Sequence, residues 1–214
     1  MRLLEAYALR AEKASVLYRH LFEPFRYWYR EILRREPEVN NDPTQPELYG
    51  DDPDCQWSRG WEYPWVLLHG DFQVGHTVLD AGAGASPLPM LLARQGCQVT
   101  AVDFDVVGEG AKAKLWGCHP ELTLGLYRSE WADLTRMKYD DATFDRVVSV
   151  GVLEHLKDRG LAISELMRVL KPGGLLIVTE DREVASLPGA VPPAGALVYR
   201  TTVVAGWVEQ KNHV

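Results

Sequence analysis

Two acidic residues and two glycines in the middle of the chain have types and spacing that suit ligand binding. Asp80 stands two residues before Gly82 and four before Gly84, and Asp103 lies 21 residues beyond Gly82. Glycines between a strand and a helix let the backbone approach a ligand closely, and the helix start adds N–H donors. An acid about 20 residues further on matches the position from which a second strand reaches ribose hydroxyls. This combination predicts an adenosine-type ligand.

The acid at position 80 distinguishes this loop from one that binds a pyrophosphate. A carboxylate repels phosphate oxygens but attracts a cation or an amino group. The third glycine of the dinucleotide fingerprint would fall at residue 87, which is Pro87, so the GxGxxG pattern is broken. A nicotinamide-dependent oxidoreductase therefore remains only the weaker alternative.

Further polar residues follow the later strands. Asp133, in the run Trp-Ala-Asp-Leu, is placed to accept a hydrogen bond from an adenine amino group. His155 is a candidate general base because imidazole titrates near neutral pH. Glu154, Glu180 and Asp181 are alternative bases if the substrate keeps its proton at neutral pH.

The elements that must position these residues alternate between short strands and helices from residue 76 onward. Such alternation predicts βαβ units and an α/β fold of the Rossmann-like, doubly wound, mostly parallel kind. Strands are predicted over 77–81, 98–103, 122–127, 145–150 and 175–180, and helices over 88–95, 106–116 and 162–170.

The first 75 residues have a different pattern and are predicted to form a helical cap with a lid segment. Apolar residues at helical spacing predict a helix over 1–22. Pro24 suits the first turn of a second helix over 24–35. Residues 36–57 contain four prolines and predict a loop or lid. The binding domain is then residues 76–214.

Five ordered segments in this domain resemble class I S-adenosylmethionine-dependent methyltransferases of the small-molecule, type 11-like group. The resemblance spans residues 77–180, with Ser86 where many members have a third glycine. It implies S-adenosyl-L-methionine as the cofactor and methyl transfer to a small-molecule acceptor. The matching segments are VLDAGAGAS (78–86), VTAVDFD (99–105), WADL (131–134), FDRVVSVGVLEHL (144–156) and RVLKPGGLLIVT (168–179).

The resemblance also implies roles for individual residues. Asp80 is expected near the methionine amino group, with Gly82 and Gly84 beside the methionine portion. Asp103 is expected at the ribose hydroxyls, and Glu-His-Leu is common enough in the family that His155 has a packing role as an alternative. The other expected cofactor contacts are Phe104, Ala132, Asp133, Val150 and Gly151.

The N-terminal segment usually shapes the acceptor pocket in this family. Arg59 is a candidate partner for the cofactor carboxylate, since arginine forms two parallel hydrogen bonds to a carboxylate. The aromatic residues of this segment either stack on the acceptor or bury the cap. They are Trp28, Tyr29, Trp57, Trp61, Tyr63 and Trp65.

The C-terminal end is short for a sheet that normally finishes with a helix and an antiparallel strand hairpin. Residues 184–196 are poor in helix formers, and residues 197–208 predict one or two strands. Either the last helix is reduced to a turn or one strand is missing. A missing strand would leave an open edge at 197–208, through which a homodimer is expected to form.

Composition narrows the class of protein. The net charge of −7 argues against nucleic acid as a partner, because affinity for DNA depends largely on Lys and Arg. No apolar run reaches the length of a membrane helix, and no signal peptide is recognisable. The three cysteines are widely spaced, which suggests reduced thiols. We therefore expect the protein in the cytoplasm. No metal is expected. A catalytically silent cofactor- or partner-binding module on the same fold remains an alternative.

Overall fold

The computed structural model describes residues 3–7, 16–35, 59–84, 86–104, 123–183, 198–199 and 202–211. Its helices are α1 (Val16–Arg35), α2 (Arg59–His69), α3 (Leu88–Arg94) and α4 (Arg159–Val169), with a short 3-10 helix at Leu153–His155. Its strands are β1 (Leu3–Tyr7), β2 (Thr77–Ala81), β3 (Gln98–Asp103), β4 (Tyr127–Trp131), β5 (Phe144–Val150), β6 (Leu170–Glu183), β7 (Val198–Tyr199) and β8 (Thr202–Gln210).

Five parallel strands form the centre of one sheet, which confirms the predicted α/β class. The order along the sheet is β1-β8-β6-β5-β2-β3-β4, and β7 pairs with β8. The chain runs outward from β2 to β4 on one side and from β5 to β6 on the other. The order therefore reverses between β2 and β5, and doubly wound folds bind their ligands at the carboxyl ends of the strands beside such a point.

The two faces of the sheet carry separate apolar clusters. Strand residues such as Val78, Val148 and Ile177 pack with aromatic residues of α1 and α2 on one face. Leu79, Val147 and Leu176 pack with residues of α4 on the other. Because side chains alternate along a strand, every residue two positions from Val148 or Ile177 belongs to the α2 face.

The predicted helix over residues 1–22 is wrong in its first part. Residues 3–7 form β1, whose five residues pair antiparallel with β8 from Tyr7↔Ala205 to Leu3↔Glu209. The predicted break at Pro24 is also wrong, since α1 runs from Val16 to Arg35 with Pro24 in its interior. The helical spacing of apolar residues gave no sign that residues 3–7 pair with β8, a strand far along the chain.

Of the two alternatives for the C-terminal end, a missing strand with an open edge at 197–208 is wrong. β8 lies between β6 on one side and β1 and β7 on the other. The short β7 and the N-terminal β1 together cover the outer edge of β8, so the edge that was expected to form a homodimer is already paired within the chain.

Other predicted boundaries shift by a few residues. The strands over 77–81 and 98–103 are confirmed, and the fourth begins at Phe144 rather than Asp145. The third strand is Tyr127–Trp131 rather than 122–127, because a turn with positive φ at Leu124 and Gly125 precedes it. The predicted helix over 106–116 and the segments 36–57 and 184–196 lie outside the described residues.

Arg146 fastens α2 to the sheet. Its buried guanidinium donates to the Gly70 carbonyl at 2.7 Å and the Asp71 carbonyl at 2.9 Å, and pairs with the Asp71 carboxylate at 3.0 Å. These bonds fix the loop that joins α2 to β2. No helix within the described ranges combines the length and apolar composition needed to cross a bilayer.

Asp145 joins three segments at the amino end of the sheet. Its Oδ2 accepts hydrogen bonds from the Thr77 amide at 2.9 Å, the Thr77 hydroxyl at 2.7 Å and Lys171 Nζ at 2.9 Å. Burial alone raises the pKa of Asp145, but these bonds outweigh burial and lower it to about 2. The ionised carboxylate therefore stabilises the fold.

We expect Asp145→Asn to lower the free energy of unfolding at pH 7 by about 1 kcal/mol. Because the folded pKa lies below the unfolded value, this stabilisation is present above about pH 4 and disappears as the pH falls toward 2. Denaturant unfolding at a series of pH values measures both effects. Asp140→Asn, at an exposed acid nearby, is the control; an identical pH profile for the two variants would contradict the assignment.

Candidate functional site

The expected ligand-binding residues meet at the carboxyl ends of β2 and β3, beside the point where strand order reverses. Asp80 is next to last in β2 and pairs in register with Ala101, two residues before Asp103 at the end of β3. Asp80 is buried, and Asp103 is half-buried. The parallel register thus brings the two carboxylates to one edge of the sheet, as the sequence predicted.

The turn after β2 requires glycine at position 82. Gly82 has φ +81°, and its amide donates to the Val102 carbonyl at 2.8 Å. A Cβ at this position would lie 2.5 Å from Val152 Cγ2. The loop therefore packs directly against the Val152 side chain in the segment after β5.

Asp103 holds this loop directly. Its Oδ2 accepts a hydrogen bond from the Gly84 amide at 2.6 Å, and Gly84 has φ +52°. Sequence reasoning assigned Asp103 to a ribose and did not foresee this bond. The carboxylate therefore fixes the glycine loop, and its second oxygen gives it further capacity to accept hydrogen bonds.

The start of α3 explains how the chain dispenses with a third glycine. Ser86 Oγ accepts a hydrogen bond from the Leu88 amide at 3.1 Å, and buried Pro87 stands at the helix cap. Serine satisfies one of the amides that a helix start leaves unpaired, and proline needs no amide partner. Ser86 and Pro87 thus serve the helix start.

Two exposed aromatic rings flank Asp103. Phe104 is 55% exposed and Trp131 is 61% exposed, with ring centroids 5.6 Å apart and planes tilted by 41°. Large aromatic side chains are usually buried, so such a pair marks a surface available to a flat ligand. The sequence predicted Phe104 here, whereas Trp131 was quoted only as part of a motif.

Asp133 and Ala132 make local contacts. Asp133 Oδ1 accepts from the Thr135 amide at 2.9 Å and the Thr135 hydroxyl at 2.7 Å, which lower the pKa of Asp133. The Ala132 amide donates to the Asp103 carbonyl at 3.2 Å. These bonds shape the loop after β4, beside the aromatic pair. An adenine would therefore contact Asp133 and Ala132 in addition to these partners within the protein.

The end of β5 supplies the opposite wall. Val150 is nearly buried, and Gly151 turns the chain away with φ +62° while its amide donates to the Thr179 carbonyl at 2.9 Å. This places the predicted residues 150 and 151 at the strand ends next to β2.

Two buried acids, Glu62 and Glu180, lie where β6 passes the end of β5. Glu62 of α2 accepts a hydrogen bond from the Thr179 hydroxyl at 2.5 Å, and its exposure is 1%. Glu180 pairs with Arg159, whose Nη2 lies 2.7 Å from Oε2. Sequence reasoning raised Glu180 but missed Glu62, because nothing in its local pattern shows that it reaches a strand 117 residues away.

The other predicted residues have different surroundings. Arg59 begins α2, and its side chain lies outside the description. His155 is exposed at the end of the 3-10 helix, next to half-buried Glu154.

The aromatic residues of α2 belong to the core. Trp61 and Trp65 stack with centroids 5.4 Å apart, and Tyr63 stacks on Phe25 at 4.6 Å. All four are buried, so of the two alternatives for Trp61, Tyr63 and Trp65 the structure supports burial of the cap. The side chains of Trp28, Tyr29 and Trp57 lie outside the description.

Comparison with known proteins places this site in a family. The family described as "Methyltransferase domain" matches residues 79–178. A probable S-adenosylmethionine-dependent methyltransferase of Mycolicibacterium smegmatis is 31% identical over 56% of this chain and 43% of its own. A ubiquinone biosynthesis O-methyltransferase of Xylella fastidiosa is 36% identical over 58% and 50%. The chain thus spans about half the length of these curated relatives.

Solved structures share the fold over a similar part of the chain. A [4+2]-cyclase, SpnF, aligns with a TM-score of 0.50 and 28% identity over 55% of this chain and 43% of its own. A sarcosine dimethylglycine methyltransferase of Galdieria sulphuraria aligns with a TM-score of 0.51 and 21% identity over 57% and 46%. The second likeness bears on the fold alone.

The glycine loop and the acids near the ends of β2 and β3 all lie within the matched segment. The match of residues 79–178 to the methyltransferase domain, together with these relatives, supports a class I S-adenosylmethionine-dependent methyltransferase, a family whose cofactor is S-adenosyl-L-methionine.

Proposed function

We propose that this protein transfers a methyl group from S-adenosyl-L-methionine to a small-molecule acceptor. The observation that carries the proposal is the glycine loop at the reversal of strand order, held by Asp103 and bordered by buried Asp80. The same loop lies within the segment that matches the methyltransferase domain.

The chemistry of the residues fits the cofactor. The carboxylate of Asp80 suits an amino group, and that of Asp103 suits ribose hydroxyls. Gly84 leaves open space beside the backbone, since a Cβ there would meet only Asp103 Oδ2 at 3.9 Å, whereas Val152 fills the space at Gly82. Phe104 offers an exposed ring to the adenine, with Ala132 and Asp133 beside it, and Val150 borders the methionine portion. Arg59 stays a proposed partner for the cofactor carboxylate.

The cofactor supplies a methyl group activated by a sulfonium. The task of this chain is to hold the acceptor atom in line with the bond that breaks and to exclude water, since positioning alone lowers barriers by several kcal/mol. We assign this task to the cap, residues 1–75, over the domain of residues 76–214. His155, exposed beside the end of β5, stays a candidate base for acceptors that keep their proton.

The acceptor class is proposed from the relatives. Two of them are named ubiquinone biosynthesis O-methyltransferase and demethylmenaquinone methyltransferase, and both names refer to quinone substrates. We therefore place phenols and hydroquinones first among acceptors, with oxygen, nitrogen and carbon all to be tested. The net charge of −7 disfavours nucleic acid as acceptor. The cysteine content favours the cytoplasm as its compartment.

A second candidate is a module on this fold that does not transfer methyl groups. The structural likeness to a [4+2]-cyclase supports it, because this fold then hosts more than one chemistry. Incubation with methyl-labelled S-adenosylmethionine and a panel of phenols, hydroquinones and amines separates the two. Labelled product supports methyl transfer; cofactor binding without product from any acceptor supports the alternative.

Asp103→Asn is expected to weaken binding of S-adenosylhomocysteine about tenfold, because a neutral amide replaces a charged acceptor for the ribose hydroxyls. The asparagine oxygen still accepts from Gly84, so the loop is retained. Calorimetric titration gives the affinity, with Asp140→Asn as the surface control. Equal affinities for Asp103→Asn and the unsubstituted chain would remove the ribose role of this residue.

Gly82→Ala is expected to destabilise the fold by about 1–3 kcal/mol, because φ is positive and the new Cβ meets Val152. The double variant Gly82→Ala/Val152→Ala relieves the contact but keeps the backbone strain. Thermal unfolding should rank it above the single glycine variant and below Val152→Ala. If Gly82→Ala and the unsubstituted protein have the same melting temperature, the turn does not require glycine.

A further inference from the structure

We infer that Glu62 makes the site discriminate between the charged methyl donor and its uncharged product, an inference that rests on the proposed function. Glu62 comes from the cap rather than from the matched domain, since it lies in α2 before residue 79. Its carboxylate is 1% exposed and is anchored on the Thr179 hydroxyl at 2.5 Å.

The register of the sheet places this carboxylate on the same face as Asp80. Asp80 pairs with Val148, Val148 with Ile177, and Val150 with Thr179. Residues two apart on a strand point to one face, so Thr179 shares its face with Ile177 and therefore with Asp80. Two steps across the sheet and two residues along it separate the Cα atoms of Asp80 and Thr179 by roughly 12 Å.

Glu180, the neighbouring acid, points the other way. It follows Thr179 directly, so it shares its face with Val178, which packs with α4. Arg159 of α4 accordingly pairs with Glu180. Of these two acids, Glu62 is therefore the one whose carboxylate lies on the Asp80 face of the sheet.

This position gives Glu62 a specific electrostatic effect. S-adenosylmethionine carries a positive sulfonium, whereas S-adenosylhomocysteine carries a neutral thioether at the same atom. The carboxylate of Glu62 on the Asp80 face attracts this cation, and we expect it to favour S-adenosylmethionine by about three- to tenfold in affinity. Glu62 thereby favours donor binding and product release.

The test compares both affinities in variants that alter the charge. Glu62→Gln keeps an oxygen that accepts from Thr179 but loses the charge. Glu62→Met is a second neutral variant, since an apolar residue of similar volume often replaces a buried charge without loss of stability. Circular dichroism and thermal unfolding establish which variants fold, and calorimetry gives the dissociation constants of S-adenosylmethionine and S-adenosylhomocysteine.

The expected result is a loss of affinity for S-adenosylmethionine of about three- to tenfold in the neutral variants, with S-adenosylhomocysteine little changed. Asp145→Asn is the matched control, because it neutralises a threonine-bound carboxylate at the opposite end of the sheet. It should leave the ratio of the two affinities unaltered.

Two results overturn the inference and are distinguishable from failure of the proposed function. If both ligands weaken by one factor, or neither changes, Glu62 serves only to pack the cap. If the unsubstituted chain binds neither ligand, the proposed function falls and the inference falls with it.

Discussion

Parallel pairing of β2 with both β3 and β5 is the constraint on which the site depends. It places Asp80 level with Ala101 and Val148, and it brings the ends of all three strands to one edge. A slip of one residue would turn Asp80 into the opposite apolar cluster, where a carboxylate is costly. The buried valines and leucines on both faces therefore fix the register, and the register fixes the position of the acids.

The bond from the Gly84 amide to Asp103 holds the glycine loop, the proposed cofactor site, in one conformation. A loop held at 2.6 Å by a carboxylate from the next strand loses little freedom when a ligand binds. The cap adds a second layer, since α2 is tied to the domain by Arg146 at one end and by Glu62 on Thr179 nearer the other.

The sequence predicted the core well because its signals are local. The glycines, the acids near the ends of β2 and β3, and the β-branched runs each act within a few residues. The structure has their elements at or near the predicted bounds. β1, the covered edge of β8 and the Glu62–Thr179 bond escaped prediction because each depends on a partner far along the chain. The amphipathic spacing of residues 1–22 is compatible with a helix. Residues 3–7 form a strand instead because they pair with β8.

The central claim is that the carboxylates at this edge hold S-adenosylmethionine. A crystal structure of the chain grown with S-adenosylhomocysteine tests it most directly. The account predicts that the ribose hydroxyls lie within about 2.6–3.2 Å of the Asp103 carboxylate, with the adenine against Phe104 and the methionine portion along Gly82 and Gly84. A product molecule bound elsewhere, or with its ribose away from Asp103, would contradict the account.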